Sequence, residues 1–322
     1  MPLRALCDSV VNLALTLDRM EMNKLRTFIT LAVALLCALA TPARAASQGA
    51  GRERVAVLDF GESASARRIA DELAAALQKG SAGLSPVSRG QARAAARGAG
   101  YAGSVNLTLE EARDLGAAVG SDFFFAGEAD TVARRVVARG DYFEAFASLY
   151  LVSAFTGKLV FWERLSAEGA EAGAAEKNLV SQLRARAPFY AETISKSRAA
   201  EGDERRLLVE RDTPVVEDVP DEGTPASKNF RVPLPYRRLR PPYTEAAARA
   251  QVEATVDALV ELDERGEVRR VEIARWAGYG LDESVAATIK QMHFRPALSA
   301  GSPVAARVLL RYNFRRPKEE PK

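Results

Sequence analysis

Residues 252–273 read VEATVDALVELDERGEVRRVEI, and their alternation decides the architecture of the carboxy-terminal part of the chain. Val252, Ala254, Val256, Ala258, Val260 and Leu262 share one face, and Glu253, Thr255, Asp257 and Glu261 share the other. This is the two-residue period of a half-buried strand, broken only by Leu259. Glu264-Arg265-Gly266 turns the chain, and residues 268–275 return. Val271 and Ile273 are in phase there and Val268 is not, so a bulge is expected near Arg269-Arg270. Residues 281–291 read as a helix with Leu281, Val285, Thr288, Ile289 and Met292 on one stripe. Asp282 and Glu283 stand in its first turn, where the helix dipole favours acids. Phe294-Arg295-Pro296 ends the helix, and residues 303–314 alternate again, with Val304, Ala306, Val308, Leu310, Tyr312 and Phe314 inward. Strand, strand, helix, strand makes a compact α+β unit.

The residues that carry a resemblance are Pro242-Tyr243, Ala248-Arg249, Val252-Glu253, the hairpin LDERGEVRRVEI, Gly280-Leu281-Asp282, the block Phe294-Arg295-Pro296-Ala297, and Gly301-Ser302-Pro303-Val304. In this spacing they closely resemble the carboxy-terminal domain of TonB, the periplasmic energy transducer of outer-membrane transport. The resemblance implies a small β-β-α-β domain over residues 241–316. Tyr243, Arg249, Glu253, Leu281, Asp282, Phe294, Arg295 and Pro296 occupy its family-motif positions, with structural roles in core and turns. It also implies that an extended peptide of a partner is added as a strand beside the last strand. Edge amide and carbonyl groups would supply affinity, and alternating side chains selectivity. The edge would be Val304, Ala305, Ala306, Arg307, Val308, Leu309, Leu310, Arg311 and Tyr312. Arg307 and Arg311 fall on its solvated face, where they either pair with acids of a partner or guard an edge against aggregation. His293, the single histidine, has no partner group nearby in sequence and reads as structural or exposed.

Upstream, residues 54–60 (RVAVLDF) read as a buried strand and residues 64–79 as a helix with Ile69, Leu73, Ala76 and Leu77 on one face. Residues 84–88 form a second strand, and residues 91–97 a short Ala-rich helix. Residues 109–119 form a further helix, with Thr108 as N-cap, Glu111 completing a capping box and Gly120 ending it. Residues 122–131 and 142–152 are strands, and Thr156-Gly157 turns the second into residues 158–165 as a hairpin. Residues 172–195 are helical, with Pro188 a candidate kink. The expected fold class is thus two-domain: an α/β layer domain with a mixed sheet, followed by the small α+β unit. The strand VAVLDF, the run NLTLEEARDLGAAVGSDFFFAGEAD and the hairpin with LVSAFTGKLVFW together resemble CsgG-like and TolB amino-terminal domains of bacterial envelope proteins. That resemblance covers about residues 54–183 and implies binding or assembly without catalysis. A rival reading makes VAVLDFGESASAR a strand, phosphate loop and helix. It has one glycine, Gly61, where a dinucleotide fingerprint wants three, and Asp59 reads better as a strand-end turn residue.

Between the two domains, residues 214–242 hold seven of the chain's fifteen prolines. Such a stretch favours an extended, semi-rigid path. Residues 212–222 carry Asp212, Glu217, Asp218, Asp221 and Glu222 without a base; residues 228–240 carry Lys228, Arg231, Arg237, Arg238 and Arg240 without an acid. Two readings stand: a solvated tether whose halves attract each other, or a basic strip for phosphate headgroups and other envelope polyanions. The expected domain bounds are 52–197 for the layer domain, 198–240 for the linker, 241–316 for the TonB-like domain and 317–322 for a disordered tail.

The amino-terminal run FITLAVALLCALA, residues 28–40, follows Lys24 and Arg26 and precedes Ala43-Arg44-Ala45. It is too short to cross a membrane comfortably and reads as the core of a secretory signal, residues 1–45, cleaved before Ala46. Met22 is a candidate true start. Kept uncleaved, the run would be an inner-membrane anchor; Cys37 invites a lipid anchor, but Leu36 precedes it where a small residue is expected. Both cysteines, Cys7 and Cys37, lie in this leader.

A formal net charge of +3 over 322 residues is too small for an electrostatically driven nucleic-acid binder. One histidine and two leader cysteines leave no zinc site of the usual kind, no disulfide framework and no Ser-His-Asp or Cys-His machinery unless His293 serves it. The sequence therefore reads as a periplasmic, non-enzymatic binding protein of a Gram-negative-type bacterium, without a cofactor. Its partner would be an outer-membrane receptor or other envelope protein, with homodimerisation open. The alternative is an anchored TonB-type transducer, single-pass in the inner membrane and coupled to its motor proteins.

Overall fold

In a computed structural model, residues 52–80, 83–136, 140–210, 216–220 and 223–316 are described; the leader and the tail from residue 317 lie outside them. The amino-terminal half is built on a five-stranded sheet in the order β2-β1-β3-β4-β5. β1 (Glu53–Val57) lies parallel to β2 (Leu84–Pro86) and to β3 (Phe123–Val136). From β3 the chain meanders antiparallel through β4 (Gly140–Ser153) and β5 (Leu159–Gly169). The sheet is mixed, as the sequence predicts, and the middle of the sheet is buried on both faces. Val55, Val57, Phe123, Phe125, Leu149 and Leu151 point into one core, and Ala56, Leu58, Phe124, Ala126, Tyr150 and Val152 into the other. Such strands lack a clean polar alternation because neither face meets water.

Helices α1 (Ala64–Gly80) and α4 (Ala172–Glu210) cover the first face. On the other lie α2 (Arg89–Gly98) and α3 (Leu109–Val119). The capping box on α3 is present as expected: Glu111 N donates to Thr108 Oγ1 (3.1 Å), and Thr108 N donates to Glu111 Oε2 (2.7 Å). Gly120 closes that helix at φ +68°. Helix α4 continues 15 residues past the predicted end at 195, with Pro188 inside it. Its extension is docked: Arg198 pairs with Glu53 (3.6 Å) and Glu204 with Lys158 (3.4 Å).

The carboxy-terminal sheet runs β10-β9-β14-β6. β9 (Ala254–Leu262) is flanked antiparallel by β10 (Val268–Arg275) and β14 (Ala306–Phe314), and the register of β10 slips between Val268 and Arg270, at the predicted bulge. The short helix α5 (Glu245–Ala250) precedes β9, and helix α6 (Leu281–Ile289) buries the expected stripe. The third strand is not continuous from Pro303. β13 (Ser302–Val304) pairs back on β12 (Ala297–Ser299), and Ala305 separates it from β14.

The proline-rich stretch is not a solvated tether. β6 (Glu217–Asp218) pairs with β14, β7 (Phe230–Arg231) with β12, and β8 (Leu234–Pro235) with β11 (Phe294–Arg295). Short two-residue rungs are what proline permits, since it is tolerated only at strand edges. One residue of each charged half reaches the carboxy-terminal domain: Asp218 pairs with Arg307 (3.4 Å), and Arg238 donates to Arg311 O (3.2 Å).

Nor are the two halves of the chain separate bodies. One continuous core joins Leu58, Phe124, Tyr150 and Val152 of the amino-terminal half to Val256 and Val260 of β9 and Leu281 and Ile289 of α6. The wedge is Trp276-Ala277-Gly278-Tyr279, between β10 and α6. Trp276, 1% exposed, stacks tilted on Tyr150 (5.7 Å) and donates from Nε1 to Gly157 O (3.1 Å). Tyr279 packs on Trp162 (5.0 Å) and donates to Ser148 Oγ (2.8 Å). Asn106 bridges from the other side, its amide donating to Trp276 O (2.6 Å) and Thr255 O (2.9 Å). Among the described residues no helix is long and apolar enough to cross a membrane.

Candidate functional site

β14 is bound to β9 along one side, from Ala306↔Leu262 to Phe314↔Ala254. Strand geometry sends alternate residues to opposite faces and alternate main-chain groups to opposite margins. Ala306, Tyr312 and Phe314 are buried on the core face, and Leu309, Arg311 and Asn313 are exposed on the other. The outer margin is identified by its bonds: Glu217 N donates to Ala305 O (3.0 Å) and Val219 N to Arg307 O (3.3 Å). Odd-numbered residues therefore turn their N–H and C=O outward, and Leu309, Arg311 and Asn313 continue that row.

The nine residues expected to form one open edge thus fall into three groups. Val304 belongs to the β12–β13 hairpin and Ala305 links it to β14. Ala306 and Arg307 are paired with β6, parallel, so the first rungs of the margin carry the chain's own strand. Val308, Leu309, Leu310, Arg311 and Tyr312 have no main-chain partner on the outer side among the described residues. There the linker returns only as side chain, through Arg238 at Arg311 O. Between its residues 238–241 and residues 311–314 of β14 lies a cleft of about 660 Å³.

The two edge arginines have internal partners. Arg311 clamps the buried Asp257 carboxylate through Nε (2.7 Å) and Nη2 (3.0 Å), and Arg275 reaches the same group at 3.4 Å. The Arg311 bonds hold Asp257 below the usual aspartate range, against the opposing effect of burial. Arg307 is shared between Glu261 (3.2 Å) and Asp218 (3.4 Å). Their guanidinium groups are fixed along the solvated face, as edge protection requires.

The motif residues sit behind this margin. Tyr243 donates to Val252 O (2.6 Å) and stacks on Phe314 (6.2 Å). Leu281 and Phe294 are core residues, 0% and 1% exposed. Arg249 and Glu253 are exposed and pair with Glu245 (3.7 Å) and Arg316 (3.5 Å). Arg295 lies over the Tyr236 ring (5.8 Å), and Pro296 follows it in the turn into β12. Asp282 does more than complement the helix dipole. Its carboxylate accepts from Ala277 N (2.9 Å) and Gly278 N (2.8 Å), holding the wedge in shape, and burial pushes its pKa up to about 6 against those two bonds. His293 is exposed, its Nδ1 3.2 Å from Glu267. In the amino-terminal half, Asp59 is occupied by Arg89 (2.8 Å) and Arg93 (2.9 Å).

Sequence reasoning passed over the wedge itself. Its signal was present: a Trp and a Tyr within four residues, between a strand and a helix, are too apolar for a solvated loop.

Residues 240–315 match the family model of the Gram-negative bacterial TonB protein C-terminal, and this segment is a TonB C-terminal domain. Solved structures similar to the chain include the Pseudomonas aeruginosa TonB carboxy-terminal domain, at 19% identity over 32% of this chain and 96% of that one, with a TM-score of 0.24. The hypothetical protein CT253 from Chlamydia trachomatis is similar at 17% identity over 44% and 98%, with a TM-score of 0.32. Lipoprotein GNA1162 from Neisseria meningitidis is similar at 13% over 44% and 99%, also at 0.32. No curated protein matches the chain.

Proposed function

We propose that this chain is a periplasmic, non-enzymatic envelope protein that captures an outer-membrane or other envelope partner by β-strand addition to β14. The observation that carries the reading is the row of outward main-chain groups at Leu309, Arg311 and Asn313, without main-chain partners among the described residues, in a domain of the TonB C-terminal kind. An added strand would gain affinity from those groups whatever its sequence, and selectivity from alternate side chains set beside Leu309 and the arginines. The amino-terminal layer domain is on this reading of the CsgG-like or TolB-like sort. Because it shares a core with the TonB-like domain, it would present the margin as a rigid platform.

The test is site-specific photocrosslinking in intact cells, with the photoreactive residue at Leu309. A defined envelope protein should be trapped from Leu309 and not from Arg249, which is also exposed but lies on the helix Glu245–Ala250 and not on β14. Equal yields from both sites would sink the reading. Amino-terminal sequencing of the protein from the envelope fraction separates the free periplasmic form, beginning at Ala46, from the anchored transducer.

A further inference from the structure

The margin of β14 is neither wholly open nor wholly closed, and the boundary between the two states is sharp. Ala305 and Arg307 accept main-chain bonds from Glu217 and Val219, and two residues further on the same row is free of main-chain partners among the described residues. We infer that residues 216–219 are a resident strand that a partner must displace, so that capture proceeds by strand exchange from an open foothold at Leu309–Asn313. The inference rests on the strand-addition reading and concerns how that site is regulated.

Three features suit the segment to this role. First, its hold is small: two paired rungs, opposite Ala306 and Arg307, and one exposed ion pair, Asp218 with Arg307, where the side chains are 75% and 38% exposed. Exposed pairs of this kind contribute little and are readily opened. Second, Glu217 and Asp218 are exposed, so the segment inserts no apolar anchor at its paired rungs. Third, it is tethered on both sides, by α4 upstream and by the rungs of β7 and β8 downstream. A tethered competitor acts at an effective concentration of order millimolar over a short flexible connection. A short partner that uses only the foothold would not feel it. A longer one would have to clear the resident strand, and its apparent affinity would be reduced accordingly.

The segment can be locked in place. Asp218 and Arg307 are Cα partners in the parallel register, so Asp218→Cys with Arg307→Cys, in a chain whose Cys7 and Cys37 are replaced by serine, can be oxidised to one disulfide. The probes are two fluorescently labelled peptides alternating valine and glutamate. One has nine residues, to span Ala305 to Asn313, and the other five, to span Leu309 to Asn313. Anisotropy should show the nine-residue peptide binding at least about tenfold more weakly to the oxidised than to the reduced protein, the range that a tethered competitor commands. The five-residue peptide should bind both alike. In the opposite sense, Glu217→Pro with Val219→Pro removes both donors, and the nine-residue peptide should then bind more tightly than to the unmodified chain. Equal binding of the long peptide to oxidised, reduced and proline forms overturns the inference and leaves strand addition standing. Failure of both peptides on every form overturns strand addition itself, and the exchange with it.

Discussion

The wedge at Trp276–Tyr279 and the margin of β14 are both contacts made by the TonB-like domain, and they are built on opposite principles. The wedge is dry and interlocked. A Cβ at Gly278, which sits at φ +72°, would come within 2.7 Å of Tyr150 Cε1, so the backbone lies directly on the aromatic ring. The margin is shallow and polar, and what it offers is a row of amides and carbonyls. Their carboxylates differ in the same way: Asp282 in the wedge is held up by burial, and Asp257 behind the margin is held down by Arg311. One contact is interlocked, and the other, on the strand-addition reading proposed above, is open to exchange.

The largest effect should come from breaking the wedge. Trp276→Ala empties a fully enclosed site and strands Gly157 O, and a loss of about 3–5 kcal/mol is expected, as for large aromatic truncations in cores. Because the core is continuous across the two halves, urea unfolding followed by far-ultraviolet circular dichroism should show the whole chain weakened. Loss confined to the TonB-like domain, with an unchanged transition for the layer domain, would mean the halves are independent after all.

Asp282→Ala should come next, and its size should depend on pH. With its folded pKa raised to about 6 above the ordinary 3.8, Asp282 keeps a proton in the folded state that the unfolded chain has released. Its contribution to stability is therefore fully present below about pH 4 and is lost as pH rises through 6. A carboxyl shifted that far is worth up to about 3 kcal/mol across the window. The difference between wild type and Asp282→Ala should accordingly be greatest near pH 4 and smaller at pH 7.5, where the charged carboxylate still serves Ala277 N and Gly278 N. Chemical denaturation at the two pH values measures it.

Arg311→Ala should run the other way. The Asp257 pKa is depressed, so the stabilisation that Arg311 gives is present above the unfolded aspartate value and is lost as pH falls through the lower, folded-state value. At pH 7 the variant should be less stable than wild type, by less than either wedge variant because Arg275 remains at 3.4 Å. Below that folded value the two should converge. A difference that grows on acidification would show that the clamp does not act through Asp257.

What the sequence disclosed follows the same division. Elements declared by their own residues were legible: the capping box at Thr108 and Glu111, the bulge at Arg269-Arg270, the stripe from Leu281 to Met292. The TonB-like spacing, also local, led to the right domain. What was missed is made by residues far apart in the chain. Trp276 meets Tyr150 and Gly157 across more than a hundred residues, so no periodicity could report that the halves share a core. β6 was hidden because two residues make no pattern, and prolines on both sides argue for an extended path without saying what lies beside it. The end of α4 was set too early at 195, since the later turns depend on docking of Arg198 and Glu204 to distant partners.

The smallest effect on stability should accompany the largest on function. Leu309 turns its N–H outward, away from β9, so Leu309→Pro deletes a group that the fold does not use. Proline is tolerated on an edge strand in that phase, and the loss should stay below about 1 kcal/mol. Leu310 stands in the opposite phase, with its N–H in the ladder to Ala258. Leu310→Pro should therefore cost about 3 kcal/mol or more, by removing an interior bond and crowding the neighbouring strand. The two variants are one residue apart and chemically identical, which makes composition and exposure poor explanations of any difference. If capture depends on the outer row, Leu309→Pro should abolish partner crosslinking from position 311 while leaving the unfolding transition nearly unmoved. Crosslinking that survives in Leu309→Pro would mean that the partner reads the side chains of this face and not its main chain, and the margin would then be a surface instead of a strand acceptor.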